Sequence, residues 1–222
     1  MQRLYIDIET IPCQQEGFKE SLAENIKPPG NISKQETIDK WYAEKQPLAV
    51  EEEYLKSSFN GTHGEIVVIG YAFDDEDPQA FYRNLGGSEQ NIIRSFFDTV
   101  ANKSNGVFQI VGHNVRDFDL RFLFHRAVIN GEYPTFDLCQ DRRYNDDRVY
   151  DTMRAWAGWN GFISLDKLCN VLDIESPKGD CDGSKVWEFV QDNRCNEVAE
   201  YCKADVAATR EVFKRLTFNS RF

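Results

Sequence analysis

The chain has 222 residues, of which 41% are hydrophobic and 13% aromatic, and its formal net charge at pH 7 is −11. This composition excludes a disordered chain and fits one generous globular domain. The negative charge excludes a protein that coats nucleic acid through many phosphate contacts, but not an enzyme that holds a few nucleotides. No apolar run approaches the roughly 18 residues of a membrane span, and no leader precedes the first strand, so we expect a cytoplasmic protein without membrane contact.

The first predicted strand covers residues 3–8 and carries two acids near its end. Because side chains alternate along a strand, Asp7 and Glu9 project to one face while Ile6 and Ile8 project to the other. Neighbouring carboxylates repel each other, and a bridging divalent cation would turn that repulsion into a metal site. The alternative is an ordinary solvated face without metal.

The segment from about residue 13 to residue 63 has no clean strand pattern. Pro28-Pro29-Gly30 interrupts it, and residues 33–53 are highly charged and helical in pattern. We interpret the chain as one domain, residues 1–222, with a long insertion at about 13–63. The insertion is either a small lid or a solvated excursion without chemistry.

The middle of the chain alternates strands and helices. Residues 65–73 are apolar and β-branched, which predicts a central strand, and residues 79–84 predict its hairpin partner. A helix begins at Ser88. A second buried strand covers residues 107–112, and a helix of about 116–129 follows.

The last third of the chain is mainly helical. A short strand ends at residues 149–150, and Asp151 is an ordinary helix cap at the following strand-to-helix junction. Helices are predicted at 164–172, opened by Ser164, at 184–191 and at about 196–216. This order predicts an α/β fold with a mixed, mainly five-stranded sheet flanked by helices.

Asp119 is the first acid without an obvious structural role. Asn114 and Asp117 fit a helix cap with an acid at the third position. Asp119 instead lies between Phe118 and Phe122, on a helix that is apolar almost all round. An ionised carboxylate in such surroundings needs a partner.

Asp205 is the second such acid, because it falls within the apolar stripe of the last predicted helix. That stripe includes Val198 and Cys202, and Tyr201 shares the face of Asp205 at a spacing of four residues. For Asp119 and Asp205 taken singly, a buried structural hydrogen bond remains the alternative to a functional site.

Packing of both helices on the sheet would bring the four acids together. Four ionised carboxylates within about 4–5 Å repel each other by several kcal/mol even at an effective dielectric constant near 20. Two divalent cations would balance the four charges, and two metals about 3.5–4 Å apart suit in-line attack on a phosphodiester.

The chain resembles the DEDD superfamily of 3′-5′ exonucleases, which have a ribonuclease-H-like fold and use two metal ions. The resemblance lies in three motifs: Asp7-x-Glu9, Asn114-x-x-x-Phe118-Asp119 and Tyr201-x-x-x-Asp205. Glu200 occupies the position of the histidine in the histidine branch, whereas Tyr201 has the spacing of the tyrosine (DEDDy) branch. Residues 5–12 and 177–186 resemble stand-alone bacterial proteins related to the proofreading domain of family-B DNA polymerases.

The resemblance implies an activity and a set of site residues. It implies stepwise removal of nucleotides from a 3′ end, with single-stranded DNA as the expected substrate. The implied catalytic residues are Asp7, Glu9, Asp119, Tyr201 and Asp205. The four acids would hold two Mg²⁺ or Mn²⁺ ions, and Tyr201 would orient the attacking water. The implied substrate contacts are Thr10, Ile11, Asn114, Phe118 and Lys178.

Three alternatives stay open at this point. They are an exoribonuclease of the same fold, an inactive nuclease-like binding module, and a metal-binding protein without catalysis, which would have no need of Tyr201. Trp156, Trp159 and Phe162 are interpreted as core residues, with base stacking as the alternative.

Overall fold

The computed structural model describes residues 1–138, 147–176 and 180–219. The chain forms two compact units, one made of Met1–Glu9 with Ile66–Phe222 and the other of Thr10–Glu65.

A five-stranded mixed sheet is the framework, with strand order β3-β2-β1-β4-β5. The strands are β1 (Gln2–Ile11), β2 (Glu65–Phe73), β3 (Gln79–Tyr82), β4 (Phe108–Gly112) and β5 (Val149–Asp151). β4 runs parallel to β1 and β5, and β3 runs antiparallel to β2. Arg3 and Asp74 bond to each other, which sets the end of β2 beside the start of β1 and makes these two strands antiparallel. β1 is therefore the middle strand. β2 lies inside the sheet between β3 and β1 and is almost wholly buried, which confirms the prediction of a central strand at residues 65–73.

Helices flank this sheet and confirm the predicted α/β class. They are α4 (Glu89–Lys103), α5 (Asp119–Asn130), α6 (Thr152–Ala157), α7 (Leu165–Leu172), α8 (Val186–Gln191) and α9 (Cys195–Leu216). The predicted serine caps are present, since Ser88 accepts from the Asn91 N–H and Ser164 from the Lys167 N–H. In the described residues, the helices are all too short or too polar to cross a bilayer.

The two faces of the sheet bury different clusters. Leu4, Ile6 and Ile8 pack in the large cluster that also contains the apolar residues of α4 and α5. Tyr5 packs on the opposite face, with Val206 and Phe213 of α9. The alternation along β1 therefore directs Asp7 and Glu9 toward the α9 side.

The unit Thr10–Glu65 contains three α-helices, α1 (Phe18–Asn25), α2 (Gln35–Glu44) and α3 (Gln46–Lys56), and a short 3-10 helix, Ser57–Phe59. The amide of Gln46 donates to the carbonyls of Ala23 and Ile26, which ties α3 to the end of α1. The charged stretch predicted as helical thus forms two helices, and α1 is a helix that the sequence pattern does not predict.

Candidate active site

Asp7 and Glu9 stand side by side at the carboxyl end of β1. Ligand atoms of Asp7, Glu9 and Cys202 all lie within 4.8 Å of one another. Asp7 is half-buried, whereas Glu9 is only 8% exposed. Within the described ranges the Glu9 carboxylate accepts no hydrogen bond and has no ion pair.

Asp119, the first residue of α5, places its carboxylate beside the backbone of Asp7 and Glu9. Its Oδ1 accepts a hydrogen bond of 3.0 Å from the backbone N–H of Ile8, between the two acids of β1. Its carboxylate also bonds the Asp119 N–H, one of the free amides at the start of the helix. The side chain is almost fully buried.

Asp151 holds the loop that precedes α5. Its carboxylate accepts from the backbone N–H groups of Asn114 at 3.1 Å, Arg116 at 3.2 Å and Arg154 at 3.2 Å. Asp151 therefore caps α6, as predicted, and also holds the loop before α5. The prediction that Asn114 caps the helix is wrong: Asn114 has a φ of 60°, and the helix starts at Asp119.

After β1 and α5, α9 is the third element that contributes side chains to the site, and it packs closely on the sheet at Gly70. A Cβ on Gly70 would lie 2.7 Å from Cys202 Sγ and 3.2 Å from the Cys202 carbonyl oxygen, so a larger residue would force the thiol or α9 to shift. Cys202 Sγ in turn lies 3.3 Å from Asp7 Oδ2. Tyr201 and Asp205 follow on neighbouring turns of α9, and the Tyr201 hydroxyl donates a hydrogen bond to the Asp205 carboxylate.

The acids affect one another electrostatically. Burial raises the pKa of Asp7 and of Glu9 well above the usual range, and the charges of Asp205 and Asp119 raise both further. Burial also raises the pKa of Asp119 to about 7 and that of Asp205 to about 7. The structure thus brings together the four acids that the sequence singles out.

Tyr201 is a neutral hydrogen-bond donor at this site. Burial raises the pKa of its phenol far above the ordinary value, and the charges of Asp205, Glu9 and Asp7 add to the effect. The half-buried ring also lines a cavity of about 320 Å³ together with Cys181 and Phe189.

The donor set fits hard divalent cations. Buried carboxylates with raised pKa values must either take up protons or gain positive charge nearby. Carboxylate oxygens are the ligands that Mg²⁺ and Mn²⁺ prefer. Glu9, buried without a hydrogen bond from the described residues, is the kind of group that such a cation satisfies.

The predicted substrate contacts Thr10 and Ile11 directly follow Glu9 on β1 and belong to the unit Thr10–Glu65. The Thr10 hydroxyl donates to the Ser58 carbonyl at 2.7 Å. The Ile11 side chain is fully buried, which leaves its backbone for any contact with a nucleotide. Their role in substrate binding stays a prediction.

Asn114 and Phe118 lie in the loop before α5. Asn114 donates its backbone N–H to Asp151, and the Phe118 ring packs against Phe122 with centroids 5.6 Å apart. Lys178 lies outside the described residues. For these three residues too, substrate binding stays a prediction.

Two features differ from the sequence interpretation. Cys202, interpreted as part of an apolar stripe, contacts Asp7, and a cysteine in such a stripe gives no signal of this. The core assignment of Trp156, Trp159 and Phe162 is wrong, since all three are exposed. The Arg154 guanidinium lies 3.9 Å from the centroid of the Trp159 ring.

Among solved structures, the chain is similar to the family B DNA polymerase from the hyperthermophilic archaeon Pyrobaculum calidifontis. The TM-score is 0.62 at 17% identity, over 98% of this chain and 24% of the polymerase chain. The chain thus spans about a quarter of that polymerase. At this identity the likeness shows the fold alone, and it confirms the expected ribonuclease-H-like fold. Among curated proteins, none matches the chain.

A family model matches residues 53–221, well over half of the 222 residues. The matched range contains Asp119, Tyr201 and Asp205, whereas Asp7 and Glu9 precede it. The chain therefore belongs to a family of predicted 3′-5′ exonucleases related to the exonuclease domain of PolB.

Proposed function

We propose that this protein is a metal-dependent 3′-5′ exonuclease that removes nucleotides from the 3′ end of DNA. Its catalytic residues would be Asp7, Glu9, Asp119, Tyr201 and Asp205. The observation that carries the proposal is the convergence of acids from β1, α5 and α9. Asp7 and Glu9 share one face of β1, Asp119 bonds the backbone N–H between them, and the charge of Asp205 raises the pKa of both strand acids.

The four acids would hold two divalent cations, Mg²⁺ or Mn²⁺. When bound, such cations supply positive charge that polarises a phosphate and activates water. The charge of the chain supports this assignment. With a net charge of −11, the protein would repel a polyanion unless cations offset the acids locally.

Each side chain then has a defined task. Asp119 is anchored by the Ile8 N–H, so its carboxylate has little freedom to turn away. Asp205 accepts the hydrogen bond of Tyr201 and so fixes the phenol. A phenol that stays protonated at neutral pH can hold a water by hydrogen bonding, which is the role we assign to Tyr201.

The substrate assignment follows from the family and from charge. Relation to the exonuclease domain of PolB supports 3′-5′ polarity and a DNA substrate. A strongly acidic protein is suited to holding a few nucleotides at one strand end rather than a long duplex, which favours single-stranded DNA.

We also propose that residues 1–222 constitute one exonuclease domain with an insertion at about 13–63. The compactness of the unit Thr10–Glu65 supports this division. So does β1, which runs from Gln2 to Ile11 and leads directly into the inserted helices.

A strand-degradation assay tests the proposal. Single- and double-stranded DNA and RNA, labelled at the 5′ or the 3′ end, are incubated with the protein and Mg²⁺, Mn²⁺ or EDTA. The expected result is stepwise shortening of DNA from its 3′ end that EDTA abolishes. Asp205→Asn should abolish it, while Glu211→Gln, which removes an exposed carboxylate from α9, should not. Shortening of RNA alone would contradict the DNA assignment, and no shortening of either polymer would contradict the nuclease proposal.

A further inference from the structure

Cys202 places a thiol in the wall of the carboxylate site. Its side chain is fully buried, and its Sγ lies 3.3 Å from Asp7 Oδ2. Ligand atoms of Asp7, Glu9 and Cys202 lie within 4.8 Å of one another. The thiol donates to the carbonyl and the carboxylate of Asp7. Hard cations such as Mg²⁺ make no use of sulfur, so the proposed nuclease chemistry gives this thiol no role as a metal ligand.

Glu9 supplies a second observation that points to a ligand at this place. The Glu9 residue is more than nine-tenths buried, and its carboxylate accepts no hydrogen bond from the described part of the chain. It faces Asp7 and Cys202 rather than a cationic side chain. Burial of a carboxylate without such a partner is unfavourable in free energy unless a cation or a hydrogen-bond donor binds it.

The three groups have the spacing of ligands around one small ion. Zinc binds cysteine sulfur at about 2.3 Å and carboxylate oxygen at about 2.0–2.2 Å, so tetrahedral ligands lie about 3.5 Å apart. The separation of 3.3 Å between Asp7 Oδ2 and Cys202 Sγ already matches this value. The pairs that are up to 4.8 Å apart would need to close by about 1 Å, which a side-chain rotation can provide.

We propose that Asp7, Glu9 and Cys202 form a binding site for a thiophilic divalent cation such as Zn²⁺ or Cd²⁺. This cation would exclude Mg²⁺ from the carboxylates and so inhibit the enzyme, a consequence that rests on the proposed function. On binding, the S–H bond of Cys202 breaks, its proton passes to solvent, and a sulfur–metal bond forms without any change in oxidation state.

The test is a Cd²⁺ titration of the full chain after treatment with EDTA and its removal. The readout is the ultraviolet charge-transfer band of a cadmium–thiolate bond, which needs no nuclease activity. Cys202→Ala is compared with Cys195→Ala, which removes another buried thiol from the same helix. We expect the band in the wild type and in Cys195→Ala. In Cys202→Ala the band should be absent, and Cd²⁺ affinity should fall roughly tenfold or more with the loss of the soft ligand.

A second variant keeps the test decisive if Cys202→Ala does not fold. Glu9→Gln retains the thiol and should weaken Cd²⁺ binding by a similar factor. Addition of Mg²⁺ should lower the apparent affinity for Cd²⁺ in the wild type.

An absent band in the wild type, or equal Cd²⁺ affinity in the wild type, Cys202→Ala and Glu9→Gln, would overturn the site. Cd²⁺ affinity that is independent of Mg²⁺ would overturn the exclusion of Mg²⁺. A protein that binds Cd²⁺ as expected but degrades no nucleic acid would leave this site standing and refute only the proposed function.

Discussion

The backbone N–H of Ile8 donates a hydrogen bond of 3.0 Å to Asp119 Oδ1, which fastens the first residue of α5 to the strand of Asp7 and Glu9. Since the donor is buried and Asp119 is its acceptor, this carboxylate is part of the fold as well as of the candidate site. A substitution at Asp119 can therefore change stability and metal binding separately.

Two substitutions at Asp119 separate these effects. Asp119→Asn keeps an oxygen acceptor for Ile8 and removes the charge, so the metal-free variant should be at least as stable as the wild type. Asp119→Ala leaves the Ile8 N–H buried without that acceptor and should lower the free energy of unfolding by about 1–3 kcal/mol. Urea denaturation in EDTA measures both. Equal stability of the two variants would contradict the structural role of this bond.

Tyr201 and Asp205 should differ in their effects, although they share a hydrogen bond. Tyr201→Phe removes the donor that would orient water and should reduce the rate roughly 10²–10⁴-fold, with metal affinity retained. Asp205→Ala removes a proposed ligand and should weaken metal binding as well. Calorimetric titration with Mn²⁺ and single-turnover rates make the comparison. Equal metal affinity in both variants would refute this division of roles.

The stabilisation by Mg²⁺ should depend on pH. Burial raises the pKa of Asp119 and of Asp205 from 3.8 to about 7. Because the folded state holds these protons more tightly than the unfolded state, their contribution to stability is full below about pH 4 and is lost as the pH rises through about 7. Mg²⁺ should therefore raise the melting temperature more at pH 8 than at pH 5. Melting curves in EDTA and in Mg²⁺ measure this, and an equal shift at the two pH values would contradict it.

Asp151 should act through the fold rather than through metal binding. Its carboxylate accepts three backbone N–H groups, so Asp151→Ala should lower the free energy of unfolding by about 1–3 kcal/mol. Asp98→Ala, at an exposed position of α4, should stay within about 0.5 kcal/mol of the wild type. Denaturant titration compares the two, and calorimetry should find the number of Mn²⁺ ions bound by Asp151→Ala unchanged. A lost Mn²⁺ ion would instead make Asp151 a ligand.

The acids of the candidate site are predictable from the sequence because each breaks a local rule. Asp7 and Glu9 occupy alternate positions of a strand, and alternation fixes their common face. Asp119 and Asp205 lie in apolar stripes of helices, where an unpaired charge is unfavourable. Periodicity alone thus places all four on surfaces that meet when the helices pack on the sheet.

Features that depend on distant partners are not predictable in this way. Asn114 fits a helix cap locally, but its N–H donates to Asp151, 37 residues away in the chain, and α5 starts only at Asp119. Cys202 is a neighbour of Asp7 where α9 packs closely on Gly70 of the sheet. Local pattern carries no information about such contacts.

The exposed aromatic residues show another limit. Trp156, Trp159 and Phe162 have the composition of a core segment, yet Phe162 is 80% exposed and both tryptophans are nearly half exposed. Their segment lies at the edge of the sheet after β5, the last strand in the order. Burial of an aromatic side chain depends on what covers it, and composition does not record this.

The most direct test of the central claim is to locate the metals themselves. Crystals of the protein grown with Mn²⁺ should give two anomalous-scattering peaks about 3.5–4 Å apart, enclosed by the carboxylates of Asp7, Glu9, Asp119 and Asp205. No peak at these acids in saturating Mn²⁺, or peaks only elsewhere on the protein, would contradict the account.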